Sequence, residues 1–286
     1  MPDHHLIRIG NQTAFSAATP IQPFEYAVAN GFDAFEWFPD KKPWGAGWDE
    51  SDLDAEARRN VRVTAGACGM RLSVHARWQA NPLKPEAWPI LLKDLELAED
   101  LGASLLNIHL YTEAGLDAYV GAIKPLAGRV ADAGLQLSIE NTPLTTPDDF
   151  NALFGRLCDA PDFPAGKQVG MCLDLGHANL CASNRNDYLR YLDLLGPGVP
   201  IIHLHLHENW GDFDSHLPLF TGPAGRDSSG LREFSARIQR RDYSGSIVLE
   251  QWPQPPSLLN QARDALKQLF AETRRHAPLT AANDVS

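Results

Sequence analysis

Short apolar segments recur along the chain, and longer segments with a different periodicity separate them. The short segments are rich in Val, Ile, Leu and Phe, and each has the length of a buried parallel strand. There are eight, at residues 6–13, 32–38, 71–77, 104–111, 135–142, 169–177, 200–209 and 245–252. The pattern therefore predicts eight strands that alternate with helices.

The segments between the predicted strands carry apolar side chains at helical spacing. This spacing is clearest at residues 84–102, 115–134 and 257–275. A glycine stands just before several of the predicted strands, where a left-handed residue ends a helix at a tight turn. These glycines are Gly31, Gly69, Gly102 and Gly134.

Eight strands that alternate with helices are typical of a (β/α)8 TIM barrel, an α/β fold. A doubly wound sheet is the alternative, but no G-x-G-x-x-G motif follows the first predicted strand. The length of 286 residues fits one barrel. We therefore predict a single domain over residues 1–276 and a disordered tail at 277–286.

Charge and cysteine usage narrow the classes of partner and compartment. The chain has 25 Lys and Arg against 36 Asp and Glu, a net charge of −11, which argues against nucleic acid or an anionic membrane as partner. No C-x-x-C occurs among Cys68, Cys158, Cys172 and Cys181, so neither a disulfide framework nor a cysteine zinc site is expected. The first residues lack an apolar signal segment, and we expect a cytoplasmic protein.

Side chains with catalytic or metal-binding chemistry stand where the predicted strands end, as in the active sites of TIM barrels. Seven histidines remain when His4, His5 and His276 are set aside, and six of them lie at strand ends or in the loop after the seventh strand. The carboxylates and histidines at these positions are Glu36, His75, His109, Glu140, Asp174, His177, His205, His207, Asp214, His216 and Glu250.

Four of these residues, from consecutive predicted strands, suit a divalent cation. They are Glu140, Asp174, His205 and Glu250. Three carboxylates buried together without a cation would repel one another and take up protons. Carboxylates with an imidazole are ligands for Mn²⁺, Mg²⁺, Co²⁺ or Zn²⁺. We predict one such ion, with Glu140 and Glu250 also placed to move a proton.

Other residues near the predicted site have more than one interpretation. Glu36 is either a pocket residue or part of a salt bridge, and His207 is a loop residue, a substrate contact or a supporting group. His203, two positions before His205 on the same strand face, is interpreted as a hydrogen-bonded core or supporting histidine. Five aromatic residues either wall a sugar pocket or pack on the rim: Trp37, Phe38, Trp44, Trp48 and Trp78.

Several motifs together resemble the xylose isomerase-like TIM barrel superfamily. They are "LSIENTP", "VGMCLDLGHAN", "HLHLHEN" followed by "DSHLPL", and "IVLEQW". The superfamily holds sugar and sugar-phosphate isomerases and epimerases, and the zinc-dependent nuclease endonuclease IV. The resemblance extends from about residue 6 to residue 275 and implies the same barrel.

The epimerase branch implies one divalent metal with substrate bound beside it. The arginine that those epimerases place shortly after the metal histidine is not evident, since Trp210 and Gly211 follow Asn209. The substrate therefore stays open. The implied metal ligands are Glu140, Asp174, His205 and Glu250, and the expected substrate contacts are His177, His75, His109, Glu36 and His207.

The endonuclease IV branch implies three zinc ions, and the chain carries all nine ligand types in order. They are His75, His109, Glu140, Asp174, His177, His205, Asp214, His216 and Glu250. The predicted rim segments 39–56, 76–88 and 208–230 hold five cationic side chains against eleven acidic ones. Such a rim is a poor track for a phosphate backbone.

We favour a divalent-metal-dependent isomerase or epimerase of a sugar, sugar phosphate or polyol ketone, acting through a metal-stabilised enediolate. The alternatives are an endonuclease IV-like zinc phosphodiesterase at abasic DNA and a non-catalytic barrel subunit stabilised by metal. One metal per chain favours the first, and up to three zinc ions favour the second. The expected partner is a small carbohydrate-like molecule, not a nucleic acid or membrane, and a homo-oligomer stays open.

Overall fold

Eight parallel strands close into a barrel in chain order, with β1 paired to β8. The computed structural model describes residues 7–42, 44–160, 163 and 168–276. The strands are β1 (Arg8–Gln12), β2 (Ala34–Trp37), β3 (Arg71–His75), β4 (Leu105–His109), β5 (Gln136–Glu140), β6 (Val169–Asp174), β7 (Ile201–Leu206) and β8 (Ser246–Leu249). Each lies within its predicted segment, so the TIM barrel is confirmed. The predicted tail at 277–286 lies outside the described residues.

Helices connect the strands around the barrel. They are α1 (Gln22–Ala29), α2 (Ala55–Cys68), α3 (Trp88–Leu101), α4 (Leu116–Asp132), α5 (Pro147–Asp159), α6 (Leu175–Leu180), α7 (Tyr188–Leu194), α8 (Pro223–Arg226), α9 (Ser229–Arg240) and α10 (Ser257–His276). The three clearest predicted helices correspond to α3, α4 and α10. Gly31, Gly69, Gly102 and Gly134 have φ values between +66° and +74°, which confirms the predicted left-handed turns before the strands.

The interior near the carboxyl ends of the strands is polar at two successive levels. Ser73, Asn107, Ser138 and His203 form the lower level, and each lies two positions before a residue of the upper level. Since strand side chains alternate with a period of two, both members of each pair share a strand face. All four lower residues are buried. The barrel therefore supports its strand-end residues from below with polar groups.

The cysteines and the apolar character of the helices can be read directly from the structure. The four cysteines are free thiols, with Cys68 and Cys158 exposed and Cys172 and Cys181 buried. Among the described residues, none of the helices combines the length and apolar character required to cross a bilayer.

Close packing between β1 and β2 gives a test of the barrel. Gly10 pairs with Ala34, and a Cβ at Gly10 would lie 2.3 Å from the Ala34 carbonyl oxygen. We expect Gly10→Ala to lower the free energy of unfolding by about 1–3 kcal/mol, because the strands must separate. The control Gly121→Ala, on α4 with nothing within 4 Å of the added Cβ, should raise it by about 0.5–1 kcal/mol. Urea unfolding measures both, and equal stability of the two variants would contradict the expectation.

Candidate functional site

The barrel brings the predicted carboxylates and histidines of β3 to β8 together at the carboxyl ends of the strands. Four overlapping groups of these side chains each place their ligand atoms within 4.8 Å of one another. We name their members, with His109, the strand-end cluster: His75, His109, Glu140, Asp174, His177, His205, His207, Asp214, His216 and Glu250.

Glu140, at the end of β5, lies at the centre of the strand-end cluster. Its Oε2 lies 3.0 Å from Nε2 of His75. Its Oε1 lies 3.4 Å from Nδ1 of both His177 and His205, and 3.8 Å from Nε2 of His109. One carboxylate is thus within reach of imidazoles that come from four other segments of the barrel.

Asp214, in the loop after β7, belongs to an outer group of the cluster, which comprises His177, His207, Asp214 and His216. Its Oδ2 lies 3.3 Å from Nε2 of His177 and 3.1 Å from Nε2 of His216. His207 stacks on His216 with ring centres 3.9 Å apart, and its Nε2 lies 3.3 Å from Oδ1 of Asp174. His216 has a φ of 44°, an uncommon conformation for a residue other than glycine that is found at functional sites.

Backbone carbonyls orient three of the histidines in the cluster. The Nδ1–H groups of His75 and His177 donate to the carbonyl oxygens of Ala76 at 2.7 Å and Asn141 at 2.8 Å. His216 donates in the same way to the carbonyl oxygen of Glu250 at 3.2 Å. A carbonyl only accepts, so each of these rings carries its proton on Nδ1 and directs Nε2 at a carboxylate. This is the arrangement by which proteins prepare histidine as a metal ligand.

His205 has the opposite orientation and depends on Glu36. Its Nδ1 lies 3.0 Å from Oε1 of Glu250, and its Nε2 lies 2.8 Å from Oε1 of Glu36. Glu36 is fully buried, and its Oε2 accepts from Ser73 at 2.8 Å and lies 2.9 Å from Nε2 of His203. Of the two interpretations of Glu36, this position favours the ion pair over the predicted substrate contact. His203 supports Glu36, which agrees with its interpretation as a supporting histidine.

The sequence analysis missed two asparagines that hold the cluster. The Asn107 side chain donates to Oε2 of Glu140 and accepts from Ser138 at 2.6 Å. Asn141 donates to the carbonyl oxygen of Asp174 at 2.9 Å and accepts from its N–H at 2.8 Å. The period of two could have identified Asn107 and Ser138, since each precedes a strand-end residue by two positions.

Seven ligand atoms of the cluster are buried and lack a hydrogen-bond partner among the described residues. They are Oε1 of Glu140, Oδ2 of Asp174, Oε2 of Glu250, and both ring nitrogens of His205 and His207. Buried polar atoms almost always have a partner, because a lost hydrogen bond to water is costly. Four of the five residues that carry these atoms, all except His207, are those that the sequence predicts as metal ligands. Three carboxylate oxygens and one imidazole nitrogen fit a divalent cation.

Charge compensation inside the cluster sets its protonation. Burial raises the pKa of Glu140, but His205, His75 and His109 outweigh burial and hold it well below its usual range. Burial lowers the pKa of His177, yet Asp174 and other neighbouring carboxylates raise it well above its usual range. The cluster therefore combines ionised carboxylates with a protonated imidazole when no cation is bound.

The pKa values of two other histidines move in opposite directions. Burial lowers the pKa of His109 to about 4, because its nearest carboxylate, Glu140, compensates for burial only in part. Burial also lowers the pKa of His216, but Asp214 and Glu250 outweigh burial and raise the pKa to about 9. His109 is thus neutral near pH 7, whereas His216 is protonated.

The five predicted aromatic residues divide between the two interpretations. Trp37 and Trp48 are buried and pack edge to face with ring centres 5.6 Å apart. The Phe38 ring lies 4.5 Å from the His75 ring and borders the cluster. Trp44 is 75% exposed and Trp78 is 55% exposed. Both side chains therefore lie largely in solvent, in the loops after β2 and β3.

Comparison with known sequences places the chain in a family. A profile described as "Xylose isomerase-like TIM barrel" matches residues 24–269. A protein of Methanocaldococcus jannaschii, MJ1311, is 27% identical over 144 residues, 49% of this chain and 45% of that protein. A probable endonuclease 4 of Thermoplasma volcanium is 22% identical over 222 residues, 73% of this chain and 76% of that protein. The chain thus spans about half the length of MJ1311. It likewise matches 49% of the length of a second M. jannaschii relative.

Solved structures agree on the fold. A D-tagatose 3-epimerase-like protein superposes with a TM-score of 0.72 at 19% identity, covering 94% of this chain and 99% of that one. Endonuclease IV from Thermus thermophilus superposes with a TM-score of 0.62 at 22% identity, covering 93% and 99%. At these identities the likeness shows the fold alone. Because the family profile covers most of the closed barrel, this chain belongs to the xylose isomerase-like TIM barrel family.

Proposed function

We propose that this chain is a divalent-cation-dependent isomerase or epimerase of a small carbohydrate with a carbonyl group. The observation that carries the proposal is that Nδ1 of His205 lies 3.4 Å, 4.0 Å and 3.0 Å from carboxylate oxygens of Glu140, Asp174 and Glu250. Each of these carboxylates has a buried oxygen without a hydrogen-bond partner among the described residues. A divalent cation bound there supplies positive charge that stabilises an oxygen next to a carbon that loses a proton. The family and its epimerase-like structural relatives support this assignment.

Glu140 and Glu250 are the residues that we assign to proton transfer. Each lies next to His205, with carboxylate-to-Nδ1 distances of 3.4 Å and 3.0 Å. One carboxylate takes a proton from the carbon beside the substrate carbonyl, and the other returns a proton to the enediolate. Asn107 and His75 hold Oε2 of Glu140, which fixes the orientation of the carboxylate for this role.

Supporting residues keep the proposed proton-transfer groups in place. Glu36 fixes the ring of His205 from below through the 2.8 Å contact with Nε2. We assign His75, His109 and His177 to the walls of the substrate site, because their rings border Glu140 from the β3, β4 and β6 sides. A rigid, desolvated surround of this kind aligns reacting groups before the reaction begins.

The outer group of the cluster favours a second candidate function, an endonuclease IV-like phosphodiesterase. All nine ligand types that this branch implies lie in the strand-end cluster, including the outer His177, Asp214 and His216. The similarity to a probable endonuclease 4 agrees with this candidate. Three cations bound to one chain would support it.

The rim around the cluster argues against that second candidate. Lys41 lies 3.1 Å from Asp49 and 3.0 Å from Asp52. Arg77 lies 2.6 Å from Glu50, and its guanidinium also pairs with a buried aspartate of α3 at 2.7 Å. These cations are already neutralised by carboxylates, so they add little attraction for a DNA backbone. A substrate with little negative charge suits this rim better.

Cation binding should depend on pH, because protonated histidines must lose a proton before they bind a metal. The pKa of His216 is about 9, so the ring is charged at pH 7. If a cation enters the outer group, we expect its affinity to rise between pH 6 and pH 9, about tenfold per pH unit for each proton displaced. Zinc titration calorimetry in buffers of different ionisation enthalpy counts the protons released. His216→Gln should release fewer, and identical release from both proteins would place the ion elsewhere.

Glu140→Gln tests the proposed reaction. We expect at least about a 100-fold loss of cation-dependent hydrogen exchange, because the variant removes an anionic ligand and a proton acceptor. Exchange is measured by NMR in D2O at carbons beside the carbonyl, over a panel of free ketoses and their phosphates. The control Glu96→Gln, on the exposed face of α3, should retain activity. Absence of exchange in the metal-loaded parent across the panel would favour the non-catalytic alternative.

Abasic DNA tests the second candidate. We expect no useful incision of a duplex with one abasic site, at low salt with added zinc, because acidic side chains outnumber cationic ones in the rim segments and Lys41 and Arg77 are already paired with carboxylates. Gel electrophoresis of an end-labelled strand measures the product. Efficient incision that disappears in Glu250→Gln would overturn the isomerase proposal in favour of the nuclease.

A further inference from the structure

A cavity of about 360 Å³ opens beside the strand-end cluster, between α6, α8 and α9. Its volume lies in the range of small-molecule sites and is more than twice that of an engineered cavity which holds benzene. We name it the Trp210 cavity, and it is lined by Leu175, Asn179, Asn186, Tyr188, His207, Glu208, Asn209, Trp210, Leu219, Pro223, Ala224, Asp227 and Leu231.

The Trp210 cavity has an apolar floor and a polar edge. Leu175, Leu219 and Leu231 are each no more than 3% exposed and belong to the core, so the floor is fixed by packing. Trp210 is 45% exposed and forms a wall. Tyr188 adds a polar hydroxyl to the lining. A floor and wall of this kind fit an apolar ring, and the edge fits its hydroxyl or ether oxygens.

Charge in the cavity excludes an anionic ligand. Among the described residues, none that line it is a lysine or an arginine. The buried carboxylate of Glu208 already accepts from the N–H groups of Phe220 and Ala224, and Asp227 adds a second acid. Arg226, the neighbouring cation, stacks on Trp210 with its guanidinium 4.7 Å from the ring centre. A phosphate or carboxylate group would therefore enter a negative, partly apolar space.

His207 belongs both to the lining of the Trp210 cavity and to the strand-end cluster. His207 lines the cavity, and its Nε2 lies 3.3 Å from Asp174 in the cluster. Its ring packs against Gly176, where a Cβ would lie 2.0 Å from the His207 ring. His207 Nδ1 is buried without a hydrogen-bond partner among the described residues. A ligand in the cavity would thus lie one ring away from the residues of the proposed reaction.

The rim of the barrel shows the same apolar character. Large apolar side chains stand exposed in the loops that follow the strands, on the face where the cluster opens. They are Phe15, Trp44, Trp78, Leu144, Trp210 and Phe213, with exposed fractions from 45% to 88%. Exposed apolar groups gathered at one face mark a binding surface. An apolar part of the substrate would meet such side chains on its way to the cluster.

We propose that the Trp210 cavity binds an uncharged, apolar ring substituent of the substrate, while the carbonyl-bearing sugar lies at the cluster. This inference rests on the proposed isomerase function and specifies its substrate class as a non-phosphorylated conjugate of a keto sugar, such as an aryl glycoside with a ketone in its sugar ring, for which simple glucosides serve as non-reacting binding probes. Because His207 lines the cavity and lies 3.3 Å from Asp174, the two parts of one molecule would bind on adjacent sites. Free sugars and sugar phosphates are then poorer ligands than conjugates.

The test compares two glycosides that share a sugar and differ in the substituent. The probes are 4-nitrophenyl β-D-glucopyranoside and methyl β-D-glucopyranoside, titrated calorimetrically into cation-loaded and chelator-treated protein. We expect the aryl glucoside to bind on the order of tenfold more tightly in both forms, because the ring leaves water. Persistence of this ratio after chelation separates the cavity from the cation-dependent reaction, which the hydrogen-exchange assay judges on its own.

Two variants and a matched control locate the preference. Ala224→Phe places a ring in the cavity and should bring the ratio of the two Kd values close to one. Trp210→Ala, which removes the exposed wall, should lower the ratio without filling the cavity. Ala29→Phe inserts the same ring in a separate surface cavity beside α1 and α2 and should keep the full ratio, with thermal unfolding confirming that all three fold. Equal binding of the two probes by the parent, or a full ratio in both cavity variants, would overturn the inference.

Discussion

Buried negative charge at one end of the barrel is the constraint on which the site depends. Glu36, Glu140 and Asp174 are each at most 1% exposed, and a carboxylate removed from water needs opposite charge or hydrogen bonds to remain ionised. Burial raises the pKa of Glu36 and Glu140, and neighbouring histidines lower it by more. The oxygens that remain without a partner define where a cation would complete the compensation.

Polar residues at two depths of the barrel have different roles. Those at the strand ends offer ligand atoms to the cluster, and those two positions earlier hold them from below. Ser73 and His203 fix Glu36, which in turn contacts His205. Asn107 fixes Glu140. Precise ligand geometry requires such support, because an unsupported side chain loses its orientation to rotamer freedom.

The sequence predicts the barrel well because each strand and helix carries its own periodic signal. The strand-end residues follow from the fold, since the carboxyl ends of all eight strands lie on one face. The contact between Glu36 and His203 cannot be predicted from the sequence, because it joins residues 167 positions apart on β2 and β7. Whether the two side chains lie at the same depth in the barrel depends on the stagger of the strands. The Trp210 cavity also escapes prediction, since the loop and short helix α8 that border it have no periodicity. Trp37 and Trp44 show the same limit, because one is buried and the other exposed within a single short segment.

Backbone carbonyls, rather than side chains, orient three of the cluster histidines. His75 donates to the carbonyl of Ala76, His177 to that of Asn141 and His216 to that of Glu250. Every residue type has a carbonyl group, so a change of side chain at position 76 leaves the orienting partner of His75 in place. The tautomers of these histidines are therefore robust to mutation next to them. A lineage with this barrel can diversify its loops, and with them its substrates, without rebuilding the ligand geometry each time.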